Sequence, residues 1–472
     1  MGSILKLVYS NNFFHNNKVI RLSNGLPKIL VDHIKNCAGR DSNFDVNHCI
    51  SEIEKQNPSW RGNFQLSNLY TYFQKFYSEN LIISTDDVID NEDVVYVYPV
   101  EIIAMTTDAL SKKYSLTIDS QTENYNFIDT IEPKTLELMR KGKIKIAVCN
   151  IQDPCTGPGS IIKFENLLRS AGISESNLIF IFGNRYLTHK NYFPNSKTKF
   201  TFGRLTLQQQ AADIEGFPRI TSLGYQSDIF RKEDLDNLRH VLRPKKFSSF
   251  NRSLRSHKYY LAFLAQKYNF IDQGIFSFLN NNENFDHVKK SLEKFEGTTI
   301  EVEDCLNLLK SLPIELDTQH LNEAERGSFP TNNNKKEWFS NSYIHITSET
   351  IFDVNDINEP FFSEKTFRPI TNLQPFIMLG NAYSLKKLHE LGFKTFHPFI
   401  DESYDNVSDP SIRMRLIKKE ILKLAEMSTQ QVHDLYYSFE DILLHNFNIL
   451  KSFKDDNPFS EAVEDMKSFC YE

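Results

Sequence analysis

The residues best suited to bind an anion lie in one short run, RPKKFSSFNRSLRSHK, from Arg243 to Lys258. The run holds six Lys and Arg side chains and no acid, in a chain whose net charge is −7. It is predicted to join a strand end to a helix start with Ser256 as N-cap. Backbone N–H groups there add to the charges of Arg252 and Arg255, beside His257, which favours a phosphate ligand. The alternative is a solvated basic surface.

A second candidate site lies in FFSEKTFRPITNLQPFIMLG, residues 361–380. Ser363 can cap a short helical turn that carries Glu364, Lys365 and Arg368. A carboxylate binds ribose hydroxyls and two cations bind a diphosphate, so this turn suits a nucleotide-activated substrate. A capped surface helix with a Glu364–Arg368 pair four positions apart is the alternative interpretation.

Two further candidates follow predicted strands. Glu349 comes directly after a strand at 343–347, where it either reaches a ligand or serves as a structural capping acid. The loop at 153–160, DPCTGPGS, opens a helix, and Gly157 and Gly159 allow a ligand close to the backbone. A tight turn without a ligand is the alternative for this loop, because it matches neither the P-loop nor the dinucleotide-binding pattern.

No metal site is assigned. The acidic clusters at 86–90 and 401–405 resemble cation-binding elements, but loop acids more often cap helices or face water. The six cysteines are scattered without zinc spacing, which favours buried structural thiols in a reducing compartment.

The elements that must position these residues form two α/β halves. Apolar and β-branched runs predict strands, and residues at helical spacing predict helices. In the first half, strands at 94–100, 143–149 and 177–183 flank a helix at 161–172, which makes a βαβ unit with a parallel sheet. The second half has strands at 246–250, 343–347 and 375–380, helices at 256–268, 286–295, 302–312 and 384–391, and a helical tail at 410–453.

These elements divide the chain into three predicted regions. Residues 1–80 form an extension of helices and loops, and residues 81–240 form a Rossmann-like domain. Residues 241–472 form a second Rossmann-like domain with the helical tail. The polar stretch at 208–243 connects the halves, and a cleft between two α/β halves is the expected architecture.

The strings FNRSLRSHK, ITSET, SEKTFRPI and LKKLHELGFKTFHPFIDESYD, between residues 246 and 405, resemble phage and bacterial glycosyltransferase-like proteins in order and spacing. SEKTFRPI followed by QPFIMLG is also similar to the donor-site block of fucosyltransferase-type enzymes. The resemblance covers about a third of the chain. It implies a GT-B-like architecture of two Rossmann-like domains that face each other across a cleft, with residues 81–240 as the acceptor-side domain and residues 241–472 as the nucleotide-sugar donor domain.

The resemblance also implies roles for individual residues. Glu364 and Lys365 would contact the nucleotide sugar, and Arg252 would contact its diphosphate. The diphosphate would be neutralised by cations without a metal ion, and a base in the N-terminal half would deprotonate the acceptor hydroxyl. Asp153 and His189, each after a predicted strand, are the candidate bases.

Composition limits the remaining functions. With 38 Phe and 20 Tyr in 472 residues, the chain is predicted to be globular, and no apolar run is long enough to insert into a membrane. We expect a cytoplasmic protein of a bacterial or phage-infected cell with a UDP-, GDP- or other nucleotide sugar as co-substrate. The acceptor is either hydroxymethylpyrimidine in phage DNA, mildly disfavoured by the net acidity, or a glycan. A non-enzymatic binding or virion-associated protein on the same scaffold is the alternative function.

Overall fold

The computed structural model divides the chain into two compact units. Unit 1 comprises Met1–Thr206, Pro218–Gly224 and Asn457–Glu472, and unit 2 comprises Leu207–Phe217 and Tyr225–Asp456. The residues that the structure describes are 4–9, 14–15, 18–19, 82–91, 93–101, 128, 131, 133–150, 158–182, 197–202, 211, 229–251, 255–278, 284–314, 336–353, 360–457 and 460–468.

Unit 1 is built on a six-stranded sheet in the order β4-β1-β5-β6-β7-β8. The pairings between these strands are parallel. The strands of unit 1, including a short antiparallel pair β2–β3, are β1 Ile4–Tyr9, β2 Phe14–His15, β3 Lys18–Val19, β4 Ile82–Ser84, β5 Val94–Glu101, β6 Ile144–Asn150, β7 Leu178–Phe182 and β8 Lys199–Phe202. Two helices accompany this sheet in the first part of the chain, α1 Pro133–Arg140 and α2 Pro158–Ser170.

The first strand corrects one expectation. The sequence analysis placed residues 4–9 in an extension of helices and loops, whereas β1 lies between β4 and β5 inside the sheet of unit 1. Leu5, Leu7 and Val8 are buried in that position. Leu5 and Leu7 lie on one face of β1 and Val8 on the other, so burial on both faces explains the mostly apolar run ILKLVY, which polar neighbours along the chain obscure.

Unit 2 is built on a four-stranded parallel sheet in the order β10-β9-β11-β12. Its strands are β9 Lys245–Asn251, β10 Gly274–Phe278, β11 Ser342–Ser348 and β12 Phe376–Leu379. Because the strands are parallel, their carboxyl ends meet at one edge, which is where α/β sheets bind ligands. The sequence analysis did not predict β10.

The helices of unit 2 share one hydrophobic core with this sheet. Those of unit 2 are α3 Lys232–Asn237, α4 Ser256–Lys267, α5 Phe285–Glu296, α6 Val302–Ser311, α7 Lys336–Ser340, α8 Glu364–Thr371, α9 Ser384–Glu390, α10 Pro410–Glu426, α11 Thr429–Ser438 and α12 Glu440–Ser452. Leu261 on α4, Phe278 on β10 and Leu388 on α9 are fully buried in one continuous core. Each such side chain contributes roughly 1.5–3 kcal/mol when it leaves water.

The last described helix, α13 Ser460–Ser468, returns to unit 1, where it packs against β8 and β1. A hydrogen bond of 2.5 Å from Thr201 Oγ1 to Asp465 Oδ2 joins it to β8. The polypeptide therefore completes unit 1 with a segment that follows all of unit 2 in sequence. The sequence analysis had assigned this segment to the second domain.

The predicted α/β class, with two Rossmann-like parallel-sheet units and a helical C-terminal region, is confirmed. The strands predicted at 94–100, 143–149 and 343–347 are observed within one residue at each end. The predicted helical tail is observed as α10, α11 and α12. Among the described helices, none combines the length and the apolar character needed to cross a membrane.

The pairing of β9 with β10 requires a glycine. Gly274 lies opposite Phe247 in the register, and a Cβ at this position would overlap the buried Phe247 ring. We expect Gly274→Ala to lower the free energy of unfolding by about 1–3 kcal/mol, because overpacking strains a closely packed core. Urea denaturation measures the change.

The matched control is the same substitution in a Phe247→Leu background. The smaller side chain makes room for the added methyl group, so Gly274→Ala should cost less there. An equal cost in both backgrounds would contradict the proposed overlap.

Candidate functional site

The candidate site lies at the carboxyl edge of the sheet in unit 2. Three neighbouring elements meet there: the start of α4 after β9, the loop after β11, and the start of α8, which connects β11 to β12. The structure brings most of the described candidate residues of unit 2 to this edge.

Glu349, the first residue after β11, is completely buried and joins the elements of the site. Its Oε1 accepts hydrogen bonds from the Ser363 and Thr366 backbone N–H groups, both at 3.1 Å, and from Thr366 Oγ1 at 2.5 Å. Its Oε2 accepts from Ser363 Oγ at 2.7 Å and from the Thr350 backbone N–H at 3.0 Å. Five donors leave this carboxylate little capacity for a ligand, so the geometry favours the structural capping role over contact with a donor.

The helical turn predicted around the Ser-Glu-Lys sequence is present as the start of α8. Ser363 is the N-cap and accepts a hydrogen bond from the Lys365 backbone N–H. Lys365 Nζ lies 2.8 Å from Glu364 Oε1 and 3.2 Å from Ser363 Oγ, and the Glu364 and Lys365 side chains are about a quarter and a fifth exposed. The turn therefore presents one acid and one cation, both partly accessible, at the carboxyl edge.

The charge state of Glu364 follows from its neighbours. Burial raises the pKa of its carboxyl group, but the positive charges of Lys365 and Arg368 outweigh burial and lower the pKa to about 2. Glu364 is therefore an ionised, acceptor-only group at neutral pH. Such a group accepts hydrogen bonds from a pair of sugar hydroxyls.

Arg368 occupies the inner side of α8. It is buried, and its guanidinium group lies over the Phe250 ring with 5.8 Å between Cζ and the ring centroid. Its predicted role in binding a diphosphate remains a prediction, since the described contact is made with the core of unit 2. Its charge acts on the site by keeping Glu364 ionised.

The start of α4 holds two more candidates. The helix begins at Ser256, and Arg255 rather than Ser256 is the N-cap, exposed and without a side-chain capping bond. His257 is buried and stacked on Phe352, and its Nε2 lies 2.8 Å from the Glu349 carbonyl oxygen. Because a carbonyl only accepts, Nε2 donates here, and His257 ties α4 to the loop after β11.

His257 is neutral at physiological pH. Burial and the adjacent Lys258 charge lower the pKa of its imidazole to about 3. His257, which was predicted to bind the donor, is thus a packed, uncharged residue that positions α4. It has no cationic charge to offer a phosphate.

The basic run from Arg243 to Lys258 does not form one patch. Arg243 is buried among aromatic rings at the amino end of β9 and donates to the Ser342 carbonyl. Lys245 and Lys246 donate to the backbone carbonyls of other segments. Lys245 and Lys246 begin β9 and Arg243 precedes it, whereas α4 follows the carboxyl end of β9, so these three cations lie at the opposite edge of the sheet from the candidate site.

Lys258 is the residue that the sequence analysis left unassigned within this run. It lies in the first turn of α4 and is only 2% exposed. Burial, together with the charge of Lys365, lowers the pKa of its ammonium group to about 7. Only the surrounding fold identifies this lysine, because burial is not visible in the local sequence.

Four of the buried polar atoms that have no hydrogen-bond partner in the described part of the chain lie at the same edge, while others, on Arg243, Gln273 and Arg413, lie elsewhere in unit 2. The four are Asn251 Oδ1 at the end of β9, Thr347 Oγ1 and Ser348 Oγ at the end of β11, and Asn381 Nδ2 just beyond β12. Unpaired buried groups are rare in proteins, because each one loses its hydrogen bonds to water. Their concentration on three adjacent strand ends indicates a place prepared for a polar ligand or for bound water.

The remaining candidates are Arg252 in unit 2 and four residues in unit 1. Arg252 of unit 2 and Asp153, Gly157 and His189 of unit 1 fall outside the described residues. Gly159 was expected in a loop, but it lies in the first turn of α2, which begins at Pro158. Proline is favoured at this position, since its fixed φ suits a helix and its missing N–H is not needed there.

The acidic cluster at 401–405 is used for capping. Asp405 accepts from the Leu385 and Lys386 backbone N–H groups at the start of α9, and Asp401 accepts from the Ser403 N–H. Glu402 accepts from Thr395 Oγ1 and the Phe396 N–H. Within the ranges that the structure describes, no three His, Cys, Asp or Glu residues gather as they would around a metal ion.

The role of Glu349 can be tested by stability. We expect Glu349→Gln to lower the free energy of unfolding by about 2–4 kcal/mol, because the amide group turns a donor toward N–H and O–H groups that need an acceptor. Glu364→Gln, a matched control on the same turn, should cost about 1 kcal/mol, since its side chain is partly exposed. Equal losses in urea denaturation would show that Glu349 has no special structural role.

No known protein family matches the sequence, and no curated protein does. Among solved structures, an α,α-trehalose-phosphate synthase (UDP-forming) from Burkholderia vietnamiensis aligns at 10% identity over 99% of this chain and 100% of that chain, with a TM-score of 0.36. A structure described as trehalose-6-phosphate from E. coli bound with UDP-2-fluoro glucose aligns at 11% identity over 98% and 92%, with a TM-score of 0.34. An α,α-trehalose 6-phosphate synthase from Burkholderia multivorans aligns at 10% identity over 100% and 97%, with a TM-score of 0.36. At these identities and TM-scores the alignments do not assign a function to this chain.

Proposed function

We propose that the protein is a glycosyltransferase that binds a nucleotide sugar at the carboxyl edge of the unit 2 sheet. The observation that carries this proposal is the start of α8, where an ionised Glu364 lies beside Lys365 and both are partly accessible. Glu364 has the chemistry to accept hydrogen bonds from ribose hydroxyls. Lys365 has the chemistry to bind a phosphoryl oxygen.

The start of α4 supplies the rest of the donor site. Its N-terminal N–H groups and Arg255 face the end of the sheet where α8 begins, and helix N-termini favour anions. By the family resemblance, Arg252 joins them at the diphosphate. These cations would stabilise the negative charge of the leaving diphosphate, as a metal ion does in other transferases. We therefore propose that transfer needs no metal.

The proposed reaction is a substitution at the anomeric carbon of the sugar. The acceptor oxygen forms a bond to this carbon while the bond from the carbon to the diphosphate oxygen breaks. The nucleoside diphosphate leaves with the electron pair, and Lys365 and Arg255 stabilise its growing negative charge. The hydroxyl proton passes to a base, for which Asp153 and His189 of unit 1 remain the candidates from sequence.

The donor site is tested by ligand-induced stabilisation. Thermal shifts with UDP, GDP, CDP, dTDP and their common sugars, with and without EDTA, should identify one nucleotide whose effect is insensitive to EDTA. Lys365→Met should weaken its binding about 10- to 100-fold, the value of one charge-assisted hydrogen bond. Lys386→Met, an exposed lysine on α9, is the matched control and should bind as the wild type does.

Two results would contradict the donor site. If Lys365→Met and Lys386→Met bind the nucleotide equally well, the start of α8 does not contact it. If no nucleotide or nucleotide sugar stabilises the protein, a non-enzymatic binding or virion-associated function replaces the proposal.

The acceptor is tested by the effect of salt on transfer. Hydroxymethylpyrimidine in DNA and a glycan are the two acceptors considered, and both would meet the nucleotide sugar in the cytoplasm. Transfer to DNA should weaken steeply as salt rises from about 50 to 200 mM, because protein cations displace counterions from the phosphate backbone. Transfer to a neutral glycan should change little over this range, and that result would exclude the DNA acceptor.

A further inference from the structure

Lys258 is a buried lysine with no salt-bridge partner among the residues that the structure describes. Its side chain is 2% exposed, and its ammonium group makes no hydrogen bond or ion pair with any residue that the structure describes. Other lysines of unit 2 are paired: Lys418 with Glu296, Lys294 with Asp353 and Lys267 with Asp304. An unpaired buried charge is costly, because neither water nor a counter-ion compensates for it.

The surroundings of Lys258 place its ammonium group at the candidate site. The charges that act on it belong to Lys365, Glu349, Arg255 and Glu364, with Lys365 the strongest. Lys258 therefore faces the start of α8 across the start of its own helix.

The other described residues around Lys258, on α4 and on the helices packed against α4, do not form an ion pair with it. His257, the adjacent residue on α4, is neutral. The helices α5 and α6 also pack on α4, and they carry the acids Asp286, Glu293, Glu296, Glu303 and Asp304. Glu296 and Asp304 are engaged by other lysines, and none of the five forms an ion pair with Lys258.

The two acids on the site side are also engaged. Glu349 already accepts five hydrogen bonds from Thr350, Ser363 and Thr366, and Glu364 is paired with Lys365. The site thus gathers more positive than negative charge, and the excess is buried.

We propose that Lys258 anchors a phosphoryl oxygen of the bound donor at the N-terminus of α4, and that the protein takes up a proton at this lysine when the anion binds. This inference deepens the proposed function and rests on it. An anion supplies the missing counter-charge and favours the protonated form of the lysine. In the empty site, a pKa of about 7 leaves much of the lysine neutral above neutral pH.

The buried Lys258 also lowers the free energy of unfolding of the ligand-free protein. Its folded-state pKa of about 7 lies below the ordinary 10.5, so the folded protein binds fewer protons between these values than the unfolded chain. The destabilisation is therefore complete below pH 7 and diminishes as pH rises above it. Functional sites commonly carry such locally unfavourable groups.

The test compares wild type, Lys258→Met and the surface control Lys386→Met. Titration calorimetry with UDP-glucose, GDP-mannose and sodium sulfate, in buffers of different ionisation enthalpy, measures proton uptake. None of these anions titrates between pH 6 and pH 9. We expect the wild type to take up close to one proton at pH 8.5 and little at pH 6. Lys258→Met should take up none and bind about 10-fold more weakly or worse.

Stability without ligand is the second measurement. Met has nearly the length of Lys and no charge, so Lys258→Met should raise Tm at pH 6 by a few degrees, and by less at pH 9. This rise also shows that the variant folds. A lower Tm at pH 6 would mean that the lysine has a structural role and would overturn the inference.

The outcomes separate the inference from the proposed function. If a nucleotide sugar binds wild type and Lys258→Met with the same affinity and proton uptake, the inference is wrong and the proposed function stands. If sulfate binding is lost in Lys258→Met while no nucleotide sugar binds the wild type, the anion site is supported and the proposed function is wrong. If none of the three anions binds the wild type, both are overturned.

Discussion

The carboxylate of Glu349 is the interaction on which the site depends. It holds the first turn of α8 against the end of β11 through Ser363 and Thr366, while its own carbonyl oxygen receives the hydrogen bond from His257 on α4. One residue therefore fixes two helix N-termini relative to the sheet. The side chains of Glu364 and Lys365 depend on this arrangement, because they belong to the turn that Glu349 holds.

This arrangement concentrates positive charge where the parallel strands end. Arg255 and Lys258 at the start of α4 and Lys365 at the start of α8 supply this charge, and the strand ends carry buried polar atoms without partners among the described residues. The negative charges at the site belong to Glu364, which is ionised, and to Glu349, whose carboxylate oxygens already accept hydrogen bonds. Burial of the apolar core beneath the site stabilises the fold. The excess positive charge at the site lowers the free energy of unfolding. A ligand with several negative charges compensates for this cost.

Sequence patterns predicted most of the elements because hydrophobic periodicity records burial. The strand at 343–347 and the helix at 256–268 stand out in the sequence and are found in place. β1 was missed because polar neighbours on both sides conceal its short apolar run, and only pairing with β4 and β5 identifies it as a strand.

The site was predicted in part, since charge is visible in the sequence and burial is not. The acid–cation turn at Glu364 and Lys365 was recognised from the residues alone, and Glu349 was left with two roles that only its hydrogen bonds distinguish. The basic run proved to be divided along β9, because its amino-terminal cations bind backbone carbonyls at the far edge. Lys258 could be identified as a candidate only from the structure, because its burial is not apparent in the sequence.

The central claim is that a nucleotide sugar binds where α4 and α8 begin, at the carboxyl edge of the unit 2 sheet. Hydrogen–deuterium exchange of the wild-type protein, with and without the nucleoside diphosphate that stabilises it, measures this location directly. The account predicts slower amide exchange on ligand addition at residues 255–260 and 363–368, because a bound ligand stabilises both helix starts. Protection confined to other segments, with these two helix starts unchanged, would contradict it.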